Sequence, residues 1–238
     1  MSQAVPDRVA GTVDYPAGVH RAAAIVALAL ALLVAGCGGD DEPESTAGTE
    51  TSGAAECADL DAPDPRADGG ATPPREELDL EKTWTLTFDT SCGTFVVELD
   101  PFVAPATSAS LVSLAKAGFF DDTVFHRIVP GFVIQGGDPT QSGSGGPGYS
   151  TIDEVPSDAK YVKGVVAMAK TQTEPAGTSG SQFFVVTGAD IGLPPEYAVV
   201  GKVTEGLDVV ELIGTLGDPA TEQPVQPVVV ESVTAAPS

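Results

Sequence analysis

Histidine, cysteine and basic residues are all scarce in this chain of 238 residues. Its two histidines and three cysteines form no cluster with the spacing of metal ligands, so the sequence predicts no metal site. Lysine and arginine number 11 against 34 acidic residues, which gives a net charge of −23. An acidic surface of this kind repels phosphate backbones and argues against nucleic acid as a partner.

Long apolar runs are also lacking, apart from residues 22–36. A helix that crosses a bilayer needs about 20 apolar residues, so this shorter run fits the apolar part of an export signal better. It ends in Val34-Ala35-Gly36-Cys37, which resembles a bacterial lipobox. The resemblance implies that residues 1–36 are a signal peptide and that Cys37 is lipidated, holding the protein at the outer face of the bacterial cytoplasmic membrane. An uncleaved membrane anchor is the alternative.

Residues 37–82 have almost no large apolar side chains and are rich in small, proline and acidic residues. Such a segment cannot bury enough surface to offset its ordering entropy, which predicts a flexible acidic tether. A specific interaction tail is the alternative.

Cys57 in this tether and Cys92 in the following domain are candidates for a disulfide, because export places them in an oxidising compartment. A bridge between them would close a loop of about 35 residues, a stabilisation of about 3–4 kcal/mol in the chain-entropy model. Two free thiols are the alternative.

From residue 83 to residue 238 the pattern is that of a folded domain. Aromatic residues are few but glycine and proline are abundant, which favours strands and turns. Residues 83–88 and 94–99 predict a hairpin, and residues 105–117 a helix with proline in its first turn. Further short strands and a second helix at 207–213 follow, the strands being expected at 124–129, 132–135, 164–169, 183–187, 198–203 and 228–233. This pattern predicts a barrel or a sandwich, between which periodicity cannot decide.

Three blocks in this domain resemble the cyclophilins. The first is FHRIVPGFVIQGGD at 125–138, the second GSQFF at 180–184 and the third VVGKV at 199–203. Their order and spacing are similar to the family over residues 83–233. The resemblance implies a mainly β fold, a closed eight-stranded antiparallel β-barrel capped by two α-helices, with the active groove on the outside of the barrel.

The activity that the resemblance implies is peptidyl-prolyl cis/trans isomerisation. Amide resonance opposes rotation about an X–Pro bond with a barrier of about 18–20 kcal/mol. No bond is broken, so no nucleophile or cofactor is required. The twisted imide nitrogen gains a lone pair, and a fixed cation that donates a hydrogen bond to it stabilises the transition state selectively. The resemblance assigns this role to Arg127, with Gln135 and Phe132 completing the catalytic set.

The resemblance also implies a substrate-binding surface. Its residues are expected to form the proline pocket and to pair with the extended substrate backbone: Val133, Ala169, Lys170, Gln182, Phe184, Leu193 and Tyr197. The neighbouring Phe183 is expected to point into the barrel, and His126 to be a buried structural residue on the face opposite Arg127.

Several positions depart from the family pattern. Lys170 replaces a common asparagine, Tyr197 a common histidine, and Gly192 a tryptophan that helps to bind cyclosporin. Weak cyclosporin inhibition is therefore expected. The sequence as a whole predicts a monomeric isomerase that assists the folding of exported proteins. A binding module without turnover and a surface scaffold are the alternatives.

Overall fold

The computed structural model describes residues 56–238, so the predictions for residues 1–36, Cys37 and residues 38–55 lie outside the described part. The folded domain is mainly β with two helices, α1 (Pro105–Lys116) and α2 (Leu207–Gly214). The strands follow in chain order: β1 (Trp84–Thr90), β2 (Gly93–Leu99), β3 (Thr123–Val124), β4 (Arg127–Val129), β5 (Val133–Gly136), β6 (Thr151–Ile152), β7 (Val165–Met168), β8 (Thr178–Ser179), β9 (Phe183–Val186), β10 (Val199–Glu205) and β11 (Val229–Pro237).

Nine of these strands form one antiparallel sheet in the order β3-β11-β1-β2-β10-β7-β9-β5-β4, and β6 and β8 form a separate pair. The closed eight-stranded barrel that we expected is therefore not what the structure shows. The predicted strand at 124–129 is divided into β3 and β4, which are the two edges of the sheet and do not pair with each other. The cause is the interruption at Phe125 and His126: the Phe125 amide donates to the Val228 carbonyl at 3.0 Å, outside both strands.

The predicted hairpin is present, with β1 pairing β2 from Thr85 opposite Glu98 to Thr90 opposite Gly93. On its other side β1 pairs with β11 along its full length. The pairing extends beyond the strands, because Thr83 and Ser238 exchange two backbone hydrogen bonds of 3.2 and 2.8 Å.

Aromatic rings fill the concave side of the sheet. The Phe88 ring stacks on Phe95 with centroids 4.7 Å apart and lies 5.2 Å from Phe183, which in turn packs edge-on against Phe125 at 6.1 Å. Each of these side chains is at most 2% exposed. The period-two alternation of the strands places Phe183 in this core and leaves its neighbour Phe184 for the opposite face.

The N-terminus of α1 is capped by a residue distant in sequence. The Asp153 carboxylate accepts hydrogen bonds from the amides of Ala106 at 3.0 Å and Thr107 at 2.8 Å. A carboxylate here satisfies unpaired amides and complements the helix dipole. This contact ties the helix to the loop that begins with β6.

Residues 56–82 have almost no regular secondary structure but lie against the domain. Cys57 and Cys92 are joined by a disulfide. The Arg66 side chain donates to the carbonyls of Gly118 and Phe119, and the Trp84 indole donates to the Asp79 carbonyl at 3.0 Å. The part of the predicted tether that the structure describes is therefore attached to the domain surface at several points.

Within residues 56–238, neither helix is long and apolar enough to cross a membrane. The same residues contain no group of histidine, cysteine or acidic side chains arranged to hold a metal ion.

Candidate active site

A tight turn between β4 and β5 brings the first two candidate residues together. Pro130-Gly131 occupies its centre, and the Phe132 amide donates to the Val129 carbonyl at 3.0 Å. Proline suits the first central position because its φ is fixed, and Gly131, at φ 70°, suits the second, as in a type II turn. With the turn closed in this way, Arg127 lies opposite Gln135 in the strand register.

The register continues across two further strands. Gln135 pairs with Phe184 on β9, and Phe184 pairs with Ala167 on β7. Paired residues of antiparallel neighbours project from the same face of a sheet. Arg127, Gln135 and Phe184 therefore form a row on the outer face, opposite the phenylalanine core.

Two side chains contact the Arg127 guanidinium. Its Nε donates to the Glu222 carboxylate at 2.7 Å, and its Nη1 donates to Gln135 Oε1 at 3.3 Å. Glu222 is pinned beside β4 because its carbonyl accepts the Ile128 amide at 2.8 Å. The guanidinium is thus held along two of its edges, and we find no partner for its Nη2 among residues 56–238.

Gln135 is itself held by a second glutamine. Its Nε2 donates to Gln182 Oε1 at 3.1 Å, and Gln182 Nε2 donates to the Gly145 carbonyl at 2.9 Å. Hydrogen bonds of this kind restrict the rotamers of both glutamines. The orientation of Arg127 is therefore linked, through two side chains, to the loop that contains Gly145.

An apolar cluster adjoins this polar row on the same face. Its buried members are Val133, Tyr161, Ala167, Phe184 and Val186, and its partly exposed members include Phe132, Ala169, Leu193 and Tyr197. The predicted pocket residues are thus together, next to the guanidinium. An apolar surface with the Arg127 guanidinium fixed at its edge can bind a proline ring and donate a hydrogen bond to its imide nitrogen.

The domain matches a known family along most of its length. The family described as "Cyclophilin type peptidyl-prolyl cis-trans isomerase/CLD" matches residues 85–235. The chain belongs to the cyclophilins. It is accordingly a peptidyl-prolyl cis-trans isomerase, as the resemblance of its motifs implied.

Curated relatives and solved structures agree with this membership. The chain is 37% identical to peptidyl-prolyl cis-trans isomerase A of Mycobacterium tuberculosis over 170 residues, covering 64% of this chain and 92% of that protein. It is 35% identical to peptidyl-prolyl cis-trans isomerase-like 1 of Emericella nidulans, covering 60% and 89% respectively. A Cryptosporidium parvum cyclophilin type isomerase, crystallised in the presence of the dipeptide Ala-Pro, is similar with a TM-score of 0.59 and 28% identity, covering 64% of this chain and 98% of that chain.

The groove of this cyclophilin continues from the apolar cluster into a polar cavity of about 450 Å³. Four of the predicted site residues line it, namely Gln135, Ala169, Lys170 and Gln182. Most of the remaining wall is the loop at residues 143–150, with Asp68 from the segment that precedes the domain; Thr171, Glu174, Gly180 and Ser181 complete the lining.

The strand position expected to pair with substrate is partly occupied. The Ala169 amide donates to the Gln182 carbonyl at 2.9 Å, so this amide is already used within the domain. The Lys170 side chain is only 3% exposed; its Nζ lies 3.2 Å from the Glu196 carboxylate and 5.4 Å from the Tyr197 ring centroid. Any substrate contact here must therefore come from the remaining backbone groups of these residues.

Tyr161 and Glu222 are parts of the site that the sequence motifs did not indicate. The Tyr161 hydroxyl donates to the Tyr197 carbonyl at 2.8 Å and accepts the Tyr197 amide at 3.0 Å, which fixes the pocket-edge tyrosine. Burial raises the pKa of Tyr161. Both residues lie outside the three motif blocks and reach the site through loops, so no periodic signal was available to find them.

His126, which we expected to be buried, is only half-buried as a residue, although both of its ring nitrogens are shielded from solvent. Neither ring nitrogen has a hydrogen-bond partner among the described residues. Burial lowers the pKa of His126, the Asp138 charge opposes that effect, and the Arg127 charge adds to it. A neutral imidazole at this position is a packing element and is not positioned to transfer protons in the groove.

Proposed function

We propose that this cyclophilin isomerises X–Pro bonds in exported proteins, with Arg127 as the donor to the twisted imide nitrogen and Gln135 and Phe132 completing the catalytic set. The observation that carries the assignment is the row formed by Arg127, Gln135 and Phe184. It sets a permanent positive charge beside an apolar surface that fits a proline ring. The groove requires no nucleophile and no cofactor, because the reaction breaks no bond.

The transition-state stabilisation that the groove must supply is moderate. A rate gain of roughly 10⁵-fold needs about 7 kcal/mol of differential stabilisation. Arginine suits this task because its guanidinium stays charged and its donors form a rigid fork. The hydrogen bonds that Arg127 donates to Glu222 and Gln135 reduce the freedom that its side chain would lose on reaching the transition state.

Substrate binding is assigned to the surface around this row. Val133, Phe184 and Leu193 would contact the proline ring, and Tyr197 would close its edge. The backbone of Ala169 and Lys170, together with the Gln182 side chain, would bind residues that precede the proline. The isomerase would act as a monomer.

The place of action follows from the N-terminal motif. A signal peptide over residues 1–36 and a lipid on Cys37 would hold the domain, through residues 37–82, at the outer face of the cytoplasmic membrane. Intact-mass analysis of detergent-extracted protein should find a chain that begins at Cys37 and carries a diacylglycerol. A membrane-extracted chain that still begins at Met1 and carries no lipid would contradict the anchor.

Arg127→Ala tests the catalytic assignment. We expect at least a tenfold loss of kcat/KM, measured by NMR exchange on an X–Pro peptide, because the donor to the imide nitrogen is removed. Lys202→Ala is the matched control, since Lys202 lies on β10 with a side chain 65% exposed. Equal rates for wild type and Arg127→Ala would end the assignment; peptide binding with no turnover in wild type would favour a binding module instead.

A further inference from the structure

A strap precedes the family domain in this chain, and we define it as residues 57–71. The family match begins at residue 85, so the strap lies outside it. One end is joined to the domain by the Cys57–Cys92 disulfide. Along its length, backbone amides of Arg66, Gly69 and Ala71 donate to carbonyls of the domain at 2.8, 2.9 and 3.0 Å.

The strap lies on a glycine-rich loop, residues 143–148, whose sequence is GSGGPG. Glycines have the most backbone freedom of all residues, so a loop with four of them needs external contacts to adopt one conformation. The strap comes within backbone contact: a Cβ added to Gly148 would lie 3.1 Å from the Gly69 Cα. Only chains without side chains can approach each other this closely.

Two carboxylates share the amides of the glycine-rich loop. From inside the domain, Asp138 accepts the amides of Gly143 at 2.6 Å and Gly145 at 3.2 Å. From the strap, Asp68 Oδ1 accepts the amide of Gly146 at 2.8 Å. The peptide unit between Gly145 and Gly146 is therefore held by the strap through its N–H group.

The carbonyl of that same peptide unit begins the hydrogen-bond network of the groove. The Gly145 carbonyl accepts Gln182, Gln182 accepts Gln135, and Gln135 accepts the Arg127 guanidinium. Asp68 is thus connected to Arg127 through one peptide group and two glutamine side chains.

We propose that the strap is part of the catalytic unit of this enzyme and that Asp68 is a positioning residue. By fixing the Gly145–Gly146 peptide, Asp68 sets the orientation of Gln182, which sets Gln135 and the guanidinium. Asp68 itself does not contact the isomerising bond. The inference rests on the proposed role of Arg127.

The test compares single variants of the full chain on a neutral X–Pro peptide, so that charge attraction to the substrate does not enter. Asp68→Ala should lower kcat about three- to tenfold with KM within about twofold of wild type, because the groups are misplaced and not removed. Asp68→Asn, which keeps the acceptor oxygen, should retain at least about half of the wild-type kcat. Asp64→Ala is the matched control, an exposed strap acid for which we find no hydrogen bond among residues 56–238.

A second readout reports on the network directly. In ¹H–¹⁵N NMR spectra, Asp68→Ala should shift the Gly146 amide, the side-chain amides of Gln135 and Gln182, and Arg127 Nε–H, whereas Asp64→Ala should leave them in place. The proposal is overturned if Asp68→Ala keeps the wild-type kcat, or if Asp68→Asn loses as much as Asp68→Ala. Full activity of Arg127→Ala would instead overturn the proposed function, whatever Asp68 does.

Discussion

Glu222 is the residue on which the orientation of Arg127 most directly depends. Their ion pair is half-exposed, with 34% of the arginine and 47% of the glutamate side chain accessible, so its contribution to folding is small. We expect Glu222 to matter more for catalysis than for folding, because its carboxylate holds the edge of the guanidinium that does not face Gln135.

We therefore predict that Glu222→Ala lowers kcat about three- to fivefold, the equivalent of about 1 kcal/mol, with little change in the unfolding midpoint. Glu222→Gln keeps an acceptor for Arg127 Nε and should stay within about twofold of wild type. Glu211→Ala is the control, because it breaks a pair of similar exposure, with Lys163, on α2. An unchanged kcat in Glu222→Ala would show that Gln135 alone orients the guanidinium.

His126 gives the molecule a stability that depends on pH. Its pKa is lowered in the folded state by burial, with Asp138 opposing and Arg127 adding to the shift. The unfolded chain therefore binds a proton more readily than the folded one as the pH falls below about 6.5, and the free energy of unfolding decreases there, by at most about 1.4 kcal/mol per pH unit. Above that pH the contribution is constant.

Urea denaturation at pH 5, 6, 7 and 8 measures this effect. Wild type should lose stability between pH 6.5 and 5, and His126→Leu should be flatter across the same range. Asp138 does not titrate in the same pH range. Burial alone would raise its pKa, but hydrogen bonds from Thr140, Gly145 and Gly143 lower it. Its contribution to the free energy of unfolding is therefore lost only below about pH 4. Parallel curves for the two proteins would refute the assignment.

Single residues also show where sequence reasoning succeeds and fails. Arg127, Gln135 and Phe184 were predictable because a contiguous motif and a strand period of two determine which face each occupies. Lys170 was predicted at a substrate-binding position, but the destination of its side chain depends on Glu196, which reaches it from another loop. Contacts made between loops have no period, and they are the part that the sequence does not reveal.

Among the elements, the disulfide between the strap and the hairpin turn has the clearest energetic consequence. It closes a separation of 35 residues. Closing a loop of this length reduces the entropy of the unfolded chain and stabilises the fold by about 3–4 kcal/mol in the chain-entropy model.

Replacing Cys57 and Cys92 together by serine should lower the free energy of unfolding by about this amount, measured by guanidinium denaturation at pH 7. Wild type treated with a reductant is the internal control and should match the double variant. If reduced and unreduced wild type unfold at the same guanidinium midpoint, the bridge adds nothing to the stability of the fold.

The elements of four or more residues were predictable from the sequence, whereas the two-residue strands β6 and β8 were not. The hairpin, α1 and α2 were predicted within a few residues, because each is long enough for its hydrophobic period to show. β6 and β8 have two residues each, too few for any alternation. They pair next to a contact between their loops, in which the Asp153 amide donates to the Gly177 carbonyl at 3.3 Å. The division of the 124–129 strand likewise follows from the separate partners of β3 and β4.

At the level of the whole molecule, we expect net charge to influence the approach of substrate. Residues 83–238 contain 18 acidic and six basic residues, a net charge of −12. A field of this sign attracts cationic segments and repels anionic ones, and salt screens both effects over about 10 Å at 0.1 M.

We predict opposite salt dependences for two X–Pro peptides that differ only in flanking charge. Raising the ionic strength from 0.01 to 0.5 M should lower kcat/KM about two- to fivefold for a lysine-flanked peptide and raise it for a glutamate-flanked one. A peptide flanked by alanine serves as the control and should change little. The same salt response for all three would show that local contacts dominate encounter.

The contact between Thr83 and Ser238 has a practical meaning for engineering. Thr83, at the start of the domain, is adjacent to Ser238, just past the end of β11. In the sheet order, β1 and β11 lie at least three strands from β7, β9, β5 and β4, which carry the groove. A fluorescent reporter fused after Ser238 would leave substrate access open. A circularly permuted gene could join the two positions by a short linker and be opened in an exposed loop. It would retain every strand pairing but omit the strap, so we expect it to turn over more slowly than wild type.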